Sequence, residues 1–166
     1  MKKETYQRMV ISAGNSRYGV LILYVVDKLI VISTIIGYLL FLVAMFSLQD
    51  YDAVYHGLLV PAVGFAGVSL FRRCYPSRRP YEDLDIQPLI PKETKGRSFP
   101  SRHVFSIFMV GMTYLQLSVE VAIGIFLLGI VLGVIRVVAG LHYIKDVTAG
   151  AFMAILIGTL GYFVIF

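Results

Sequence analysis

The chain has 166 residues, of which 58 % are hydrophobic, and its formal net charge is +5 at pH 7. Its length suits one domain over residues 1–166, and its apolar residues come in long runs, which excludes an ordinary soluble domain. The single cysteine excludes an internal disulfide, and no nucleic-acid partner is expected of a chain with this apolar character.

The N-terminal part contains a short apolar segment followed by a long one. Gly19–Val26 is too short to cross a bilayer alone, and Asp27 and Lys28 separate it from Leu29–Leu48, which is twenty residues without a charge. The longer run matches a hydrocarbon core of about 30 Å. The short segment either lies in the membrane interface or lengthens the first span, and we favour the interfacial helix.

Further apolar runs predict more crossings, at Tyr55–Phe71, His103–Leu117, Val121–Ala139 and Val147–Phe166. The expected fold is therefore an all-α membrane protein, a bundle of about five transmembrane helices plus a short N-terminal interfacial helix. Glycines within the spans permit close helix contacts. Those contacts are either internal or between the subunits of a homo-oligomer, and the sequence leaves both open.

The charged residues divide between the two membrane faces. Segments 1–28, 72–102 and 136–146 are basic overall, whereas Asp50, Asp52 and Glu120 lie on the opposite side. The positive-inside rule places the basic face in the cytoplasm. A phosphate-binding site needs cations on whichever side it faces, however, so the charge pattern leaves the orientation open.

A long polar connection, residues 71–103, joins the second and third spans, and long loops in compact domains are usually functional. In an antiparallel bundle, the ends of spans two and four and the starts of spans three and five reach one membrane face. The polar side chains brought to that face are Arg72, Arg79, Ser101, His103, Arg136, His142 and Asp146.

This set of side chains suits phosphoryl transfer. Arginine forks match phosphate oxygens, and one histidine can attack phosphorus while another protonates the leaving oxygen. His142 and Asp146 are four residues apart and share a helix face, so the carboxylate can orient the ring. No cluster of His, Asp and Glu has metal-ligand spacing, so neither a metal nor another cofactor is expected.

Three spaced motifs resemble those of the type 2 phosphatidic acid phosphatase superfamily, which also includes the vanadium haloperoxidases and bacterial acid phosphatases. The first is RRCYPSRRP, from Arg72 to Pro80; the second is PSRH, Pro100–His103; the third is IRVVAGLHYIKD, Ile135–Asp146. The spacings within the motifs agree with those of the family. The resemblance implies a metal-independent phosphatase acting on a lipid phosphate in the cell membrane through a phosphohistidine intermediate.

The resemblance also implies roles for individual residues. His142 would be the nucleophile, Asp146 would orient it, and His103 would be the general acid and then the base. The phosphate-binding residues would be Arg72, Arg79, Ser101, Arg102 and Arg136. The implied substrates are undecaprenyl diphosphate, phosphatidylglycerol phosphate or phosphatidic acid, and members of the family usually have an extracytoplasmic site, which is the expectation for this chain.

Three positions depart from the family pattern: Arg72 replaces a lysine, Arg102 a glycine and Ile135 a serine. Arg102 adds a cation, which leads to the hypothesis that the chain prefers a more anionic substrate such as a diphosphate. A vanadate-dependent oxidation is disfavoured because the enzymes that perform it are typically soluble. The remaining alternative is a non-catalytic lipid-binding or transport protein on the same fold, which the intact His103, His142 and Asp146 disfavour.

Overall fold

A computed structural model describes residues 3–84, 86–92 and 95–165, and this part of the chain is helical without any strand. The helices are α1 (Lys3–Gly14), α2 (Arg17–Ser47), α3 (Tyr51–Cys74), α4 (Pro80–Asp83), α5 (Arg102–Tyr114), α6 (Val119–Val138) and α7 (Ile144–Thr159), which continues as a π-helix over Leu160–Ile165. The last residue of the predicted fifth span, Phe166, lies outside the described residues.

The first long helix, α2, is continuous across the segment that the sequence divides. Ser16 caps its start by accepting a hydrogen bond from the Gly19 N–H at 3.1 Å, and the helix then runs for 31 residues. The favoured interfacial helix at Gly19–Val26 is therefore wrong, and the alternative of a lengthened first span is correct. Asp27 does not interrupt the helix because its side chain is buried against another helix.

Four helices of the described residues are long and apolar enough to cross a membrane: α2, α3, α6 and α7 with its π-helical extension. They leave large apolar side chains on the outer surface, for example Leu40 at 60 % and Leu70 at 61 % exposed, as expected of helices that face lipid. The chain is a multi-pass membrane protein. Because α5 has only 13 residues, the predicted count of about five spans is not confirmed.

The short helix α5 is the core of the bundle. It packs against α6 and α7 and also against α2 and α3, and most of its residues between Val104 and Thr113 are buried. A helix enclosed by its neighbours has no need to match the thickness of the lipid. This arrangement keeps the first turn of α5, with Arg102 and His103, beside the ends of the longer helices.

The turn between α6 and α7 is formed by a glycine. Gly140 has φ of +77°, a left-handed conformation that ends helices and that glycine adopts without strain. The N–H groups of Leu141 and His142 then donate back to the Arg136 carbonyl at 3.1 and 3.2 Å. His142 is thereby fixed against the last turn of α6 before α7 begins.

Candidate active site

The His142 ring has different partners at its two nitrogens. Its Nδ1 lies 3.4 Å from Oδ2 of Asp146 and 3.3 Å from Oγ of Ser98. Its Nε2 lies 3.3 Å from Nη1 of Arg79. When Nδ1 carries the proton and donates it to the Asp146 carboxylate, the lone pair of Nε2 points toward the Arg79 guanidinium. A phosphate group would bind at that guanidinium.

Asp146 organises both the ring and the start of α7. Its Oδ2 accepts hydrogen bonds from the Tyr143 N–H at 3.0 Å and from the Ser98 hydroxyl at 2.5 Å. The first bond caps α7 at its N-terminus, and the Asp146 carbonyl accepts from the Ser101 N–H at 2.8 Å. One residue therefore couples the His142 ring, the end of the polar loop and the start of α5.

Burial, together with the nearby charge of Arg79, lowers the pKa of His142 to about 4, although hydrogen bonding to Asp146 acts in the opposite direction. The ring is 2 % exposed, and an apolar environment disfavours the charged imidazolium. At neutral pH the ring is consequently uncharged, which is the state that a nucleophilic nitrogen requires.

The arginines predicted for phosphate binding are buried, and each has contacts within the protein. Nη1 of Arg79 donates to the Leu141 carbonyl at 3.0 Å, and Nη2 donates to the Arg97 carbonyl at 3.2 Å. The guanidinium of Arg72 donates to the carbonyls of Arg97, Ser98 and Pro100. Arg72 thus holds the segment that leads into α5.

The remaining predicted arginines behave differently from each other. Arg136 forms a buried ion pair with Asp27, whereas Arg102 is exposed and its guanidinium lies 5.8 Å from the centre of the Phe65 ring. Arg102 is the first residue of α5 and has helical backbone. Its replacement of glycine therefore causes no strain.

Ser101 and His103 flank Arg102 at the start of α5. The Ser101 hydroxyl is fully buried and has no hydrogen-bond partner among the described residues, so it is available to a phosphate oxygen. His103 is half-buried and lines a cavity of about 290 Å³ with Arg102. Burial lowers the pKa of His103, and the charges of Arg136 and Lys92 lower it further.

The polar loop is held by a carboxylate that sequence reasoning did not single out. Glu82 accepts from the Arg79 N–H at 2.8 Å and from the Gly96 N–H at 2.9 and 3.1 Å. A short backbone bridge pairs Ser77 with the same segment, since Ser98 N–H donates to the Ser77 carbonyl at 2.9 Å. These contacts fix Ser98 beside His142.

Three further residues at the site were not predicted from the sequence. They are Ser98, Asp27 and Tyr6, whose hydroxyl donates to the carbonyls of Val137 at 2.8 Å and His142 at 3.2 Å. For Asp27, a signal existed, because a lone acidic residue near a membrane helix usually has a buried partner. Among the described residues, no three His, Cys, Asp or Glu side chains are grouped as metal ligands.

Comparison with known proteins identifies the family to which the chain belongs. The sequence model of the PAP2 superfamily matches residues 52–166. An undecaprenyl-diphosphatase from Bacillus subtilis, BcrC, is 28 % identical over 142 residues, which is 82 % of this chain and 73 % of the relative.

The crystal structure of LpxE from Aquifex aeolicus has the same fold. It superposes with a TM-score of 0.69 at 24 % sequence identity, over 95 % of this chain and 92 % of that one. Because the family match covers more than half of the residues, from the start of α3 to the C-terminus, the chain belongs to the PAP2 superfamily and is a phosphatase.

Proposed function

We propose that the protein removes phosphate from a membrane lipid through a phosphohistidine intermediate on His142. The main support for this proposal is that the two nitrogens of the His142 ring have different partners. Asp146 and Ser98 lie at Nδ1, and Arg79 lies 3.3 Å from Nε2. A neutral, oriented Nε2 beside a cation is suited to attack a phosphate that the cation holds.

The reaction proceeds in two displacements at phosphorus. In the first, Nε2 of His142 forms a bond to phosphorus as the bond from phosphorus to the lipid oxygen breaks. His103, whose protonated form is favoured by the negative charge of the bound phosphate, gives its proton to that oxygen. In the second, water attacks the phosphorus, neutral His103 accepts the proton from the water, and the bond from phosphorus to Nε2 breaks. The products are the dephosphorylated lipid and inorganic phosphate, and His103 is reprotonated for the next cycle.

Hydrogen-bond donors in fixed positions would stabilise the negative charge that develops on the phosphoryl oxygens. Arg79, Arg136 and the free Ser101 hydroxyl are the proposed direct donors. Arg72 and Arg102 are proposed to bind at the edge of the same site, since Arg72 already holds the loop beside Ser101. None of these roles requires a metal ion.

A groove beside the site supports a lipid substrate. The 290 Å³ cavity at His103 has apolar side chains of α2, α3 and α6 on one side and the polar residues Arg102, His103 and Ser106 of α5 on the other. It shares Thr34, Ile35, Phe65 and Ser106 with an adjoining apolar cavity of about 380 Å³ between α2, α3 and α5. A lipid whose phosphate reaches His142 would have an apolar path for its tail.

Among lipid phosphates, we propose undecaprenyl diphosphate as the first substrate to test, with phosphatidylglycerol phosphate and phosphatidic acid as competitors. The relative BcrC is an undecaprenyl-diphosphatase. Two cations beyond the direct donors support a headgroup with a second phosphate. One is Arg102 at the mouth of the groove, and the other is Lys92, whose pKa is lowered by burial and by the charges of Arg79 and Arg136.

The site is proposed to face the extracytoplasmic side, and the free, exposed Cys74 at the end of α3 allows a direct test. A membrane-impermeant maleimide should label Cys74 in intact cells and should not label a Cys74→Ser/Ser47→Cys variant, because Ser47 ends α2 on the opposite side. The reverse labelling pattern would assign the site to the cytoplasm.

The enzymatic proposal is tested by phosphate release from the three lipids by detergent-purified protein in EDTA. We expect turnover that His142→Ala abolishes and that His56→Ala leaves unchanged. His56 is a matched control because it lies sixteen residues from Arg72 on α3, about 24 Å along the helix. Rapid quenching with labelled substrate should trap an acid-labile phosphoprotein.

Two results would contradict the proposal. Full turnover by His142→Ala would exclude the phosphohistidine route. Lipid binding without phosphate release from any lipid phosphate would favour the non-catalytic lipid-binding alternative.

A further inference from the structure

Asp27 lies on α2, outside the residues that match the PAP2 superfamily, yet it contacts a residue of the proposed site. Its Oδ1 lies 2.7 Å from Nε of Arg136, and its Oδ2 accepts a hydrogen bond from Nη2 at 3.0 Å. Asp27 is 1 % exposed and Arg136 is 5 % exposed. The hydrogen bond at Nη2 and the close ionic contact at Nε, which lacks hydrogen-bond geometry, together restrict the position and orientation of the guanidinium.

The contact uses only one edge of the guanidinium. Asp27 lies at Nε and Nη2, so Nη1, on the other edge, faces away from this carboxylate and can donate to another acceptor. In addition to burial, the Arg136 charge lowers the pKa of both His103 and His142. The Arg136 carbonyl accepts a hydrogen bond from the His142 N–H. The direction in which Asp27 holds Arg136 therefore determines how its charge is presented to the two histidines.

We infer that Asp27 is a positioning residue, which holds Arg136 ready to bind the phosphate of the substrate. The inference rests on the proposed function, because it assumes that phosphate binds at His142. An arginine without a partner would have several orientations and would lose conformational entropy when it binds phosphate. Because Asp27 fixes one orientation before binding, that entropic cost is removed. The opposite possibility is that Asp27 competes with phosphate for Arg136, in which case removing Asp27 would tighten phosphate binding.

The test measures the dissociation constant of inorganic phosphate on the purified full-length protein by calorimetry, with inhibition of lipid hydrolysis as a second readout. For Asp27→Asn, which keeps the shape of the side chain, we expect phosphate to bind about tenfold more weakly, or ~1.4 kcal/mol. Asp27→Glu should recover part of the loss, since it restores the carboxylate.

A double-mutant cycle separates positioning from a purely structural effect. Asp27→Asn/Arg136→Ala should bind phosphate as weakly as Arg136→Ala alone, because Asp27 acts only through Arg136. The matched control is Thr113→Val, which removes a buried hydrogen bond of 2.8 Å to Tyr162 deep in the bundle. This variant should lose stability and keep the phosphate affinity of the unaltered protein.

Unchanged or tighter phosphate binding in Asp27→Asn would overturn the inference, and so would losses that add in the double variant. If Asp27→Asn does not fold, Arg136→Ala is compared with Asp27→Ala/Arg136→Ala, which removes both buried charges and is expected to fold. A further loss of affinity in that double variant overturns the inference, and equal affinity supports it. Failure of the unaltered protein to bind or release phosphate would instead count against the proposed function.

Discussion

The Ser98 hydroxyl donates to Oδ2 of Asp146 at 2.5 Å and lies 3.3 Å from Nδ1 of His142. Both Ser98 and Asp146 are 0 % exposed. A hydroxyl between a carboxylate and an imidazole limits the rotation of both groups, so Ser98 contributes to the orientation of the proposed nucleophile.

Replacing Ser98 with alanine should therefore lower kcat about tenfold, with little change in KM, because Asp146 still orients the ring but less strongly. Steady-state phosphate release measures the change. Ser77→Ala is a suitable control, since Ser77 contacts this segment through its backbone. Equal kcat values for the Ser98→Ala variant and the unaltered protein would exclude a role for this hydroxyl.

A second prediction concerns Tyr6, which connects α1 to the turn that carries His142. Tyr6→Phe removes the donor to the Val137 and His142 carbonyls and should cost about 1 kcal/mol of stability, with a drop in kcat of a few fold. Thermal unfolding and turnover are measured together. Tyr18→Phe is the control because Tyr18 is 80 % exposed, and similar behaviour of the two variants would contradict the prediction.

The close approach of α5 and α7 at the site gives a third prediction. A Cβ added at Gly150 would lie 2.6 Å from the Ser101 carbonyl oxygen, so Gly150→Ala must push the start of α5 away from α7. Overpacking of this kind costs about 1–3 kcal/mol, and turnover should fall roughly tenfold or more as Ser101 is displaced. At Gly124 an added Cβ would meet no other helix within 4 Å in the described part of the chain, so Gly124→Ala should be as active as the unaltered protein.

Proximity between residues that are close in the sequence is predictable from the sequence. The four-residue spacing of His142 and Asp146 predicts that they lie close together on one helix face. The structure brings Nδ1 and Oδ2 to 3.4 Å, but the shared helix face is wrong, because His142 lies in the turn before α7, which begins at Ile144. The antiparallel order of apolar runs likewise predicts which helix ends meet. Both inferences need only the helical repeat and the alternation of crossings.

Contacts between distant segments are not predictable in this way. From the sequence, Asp27 is interpreted as the end of an apolar segment. The sequence does not show that Arg136, on another helix, neutralises its charge. Tyr6 lies on α1, which has no long apolar run to mark it. The length of α5 is also misjudged, because apolar residues after Tyr114 extend the hydrophobic run beyond the end of the helix.

The ionisation of His142 gives a prediction for pH dependence. Burial lowers its pKa to about 4, so the ring is neutral above that pH and becomes charged only as the pH falls through about 4. The chain has three histidines, and replacing His56 and His103 with asparagine leaves His142 as the sole imidazole. Nitrogen NMR of the labelled ring should then show no titration between pH 6 and 8.

Stability should depend on pH for the same reason. An unfolded histidine has a pKa near 6.5, so the unfolded chain binds the proton at higher pH than the folded one. The contribution of His142 is therefore fully present above about pH 6.5 and decreases as the pH falls toward 4. A ring that titrates near its ordinary pKa in the folded protein would contradict both statements.

The proposed lipid path beside His103 can be blocked without touching the site. Ala62 is an exposed residue of α3 that lines the groove together with Phe65 and Met109. In Ala62→Trp the indole should occupy part of this space, so KM for a long-chain lipid phosphate should rise about tenfold, the equivalent of ~1.4 kcal/mol of lost binding. Hydrolysis of a short water-soluble phosphate ester should be unchanged, since such a substrate needs only the polar site.

The control variant is Val63→Trp, which adds the same ring to the neighbouring position, where Val63 is 61 % exposed. Equal KM values for the two variants would mean that the lipid tail lies elsewhere.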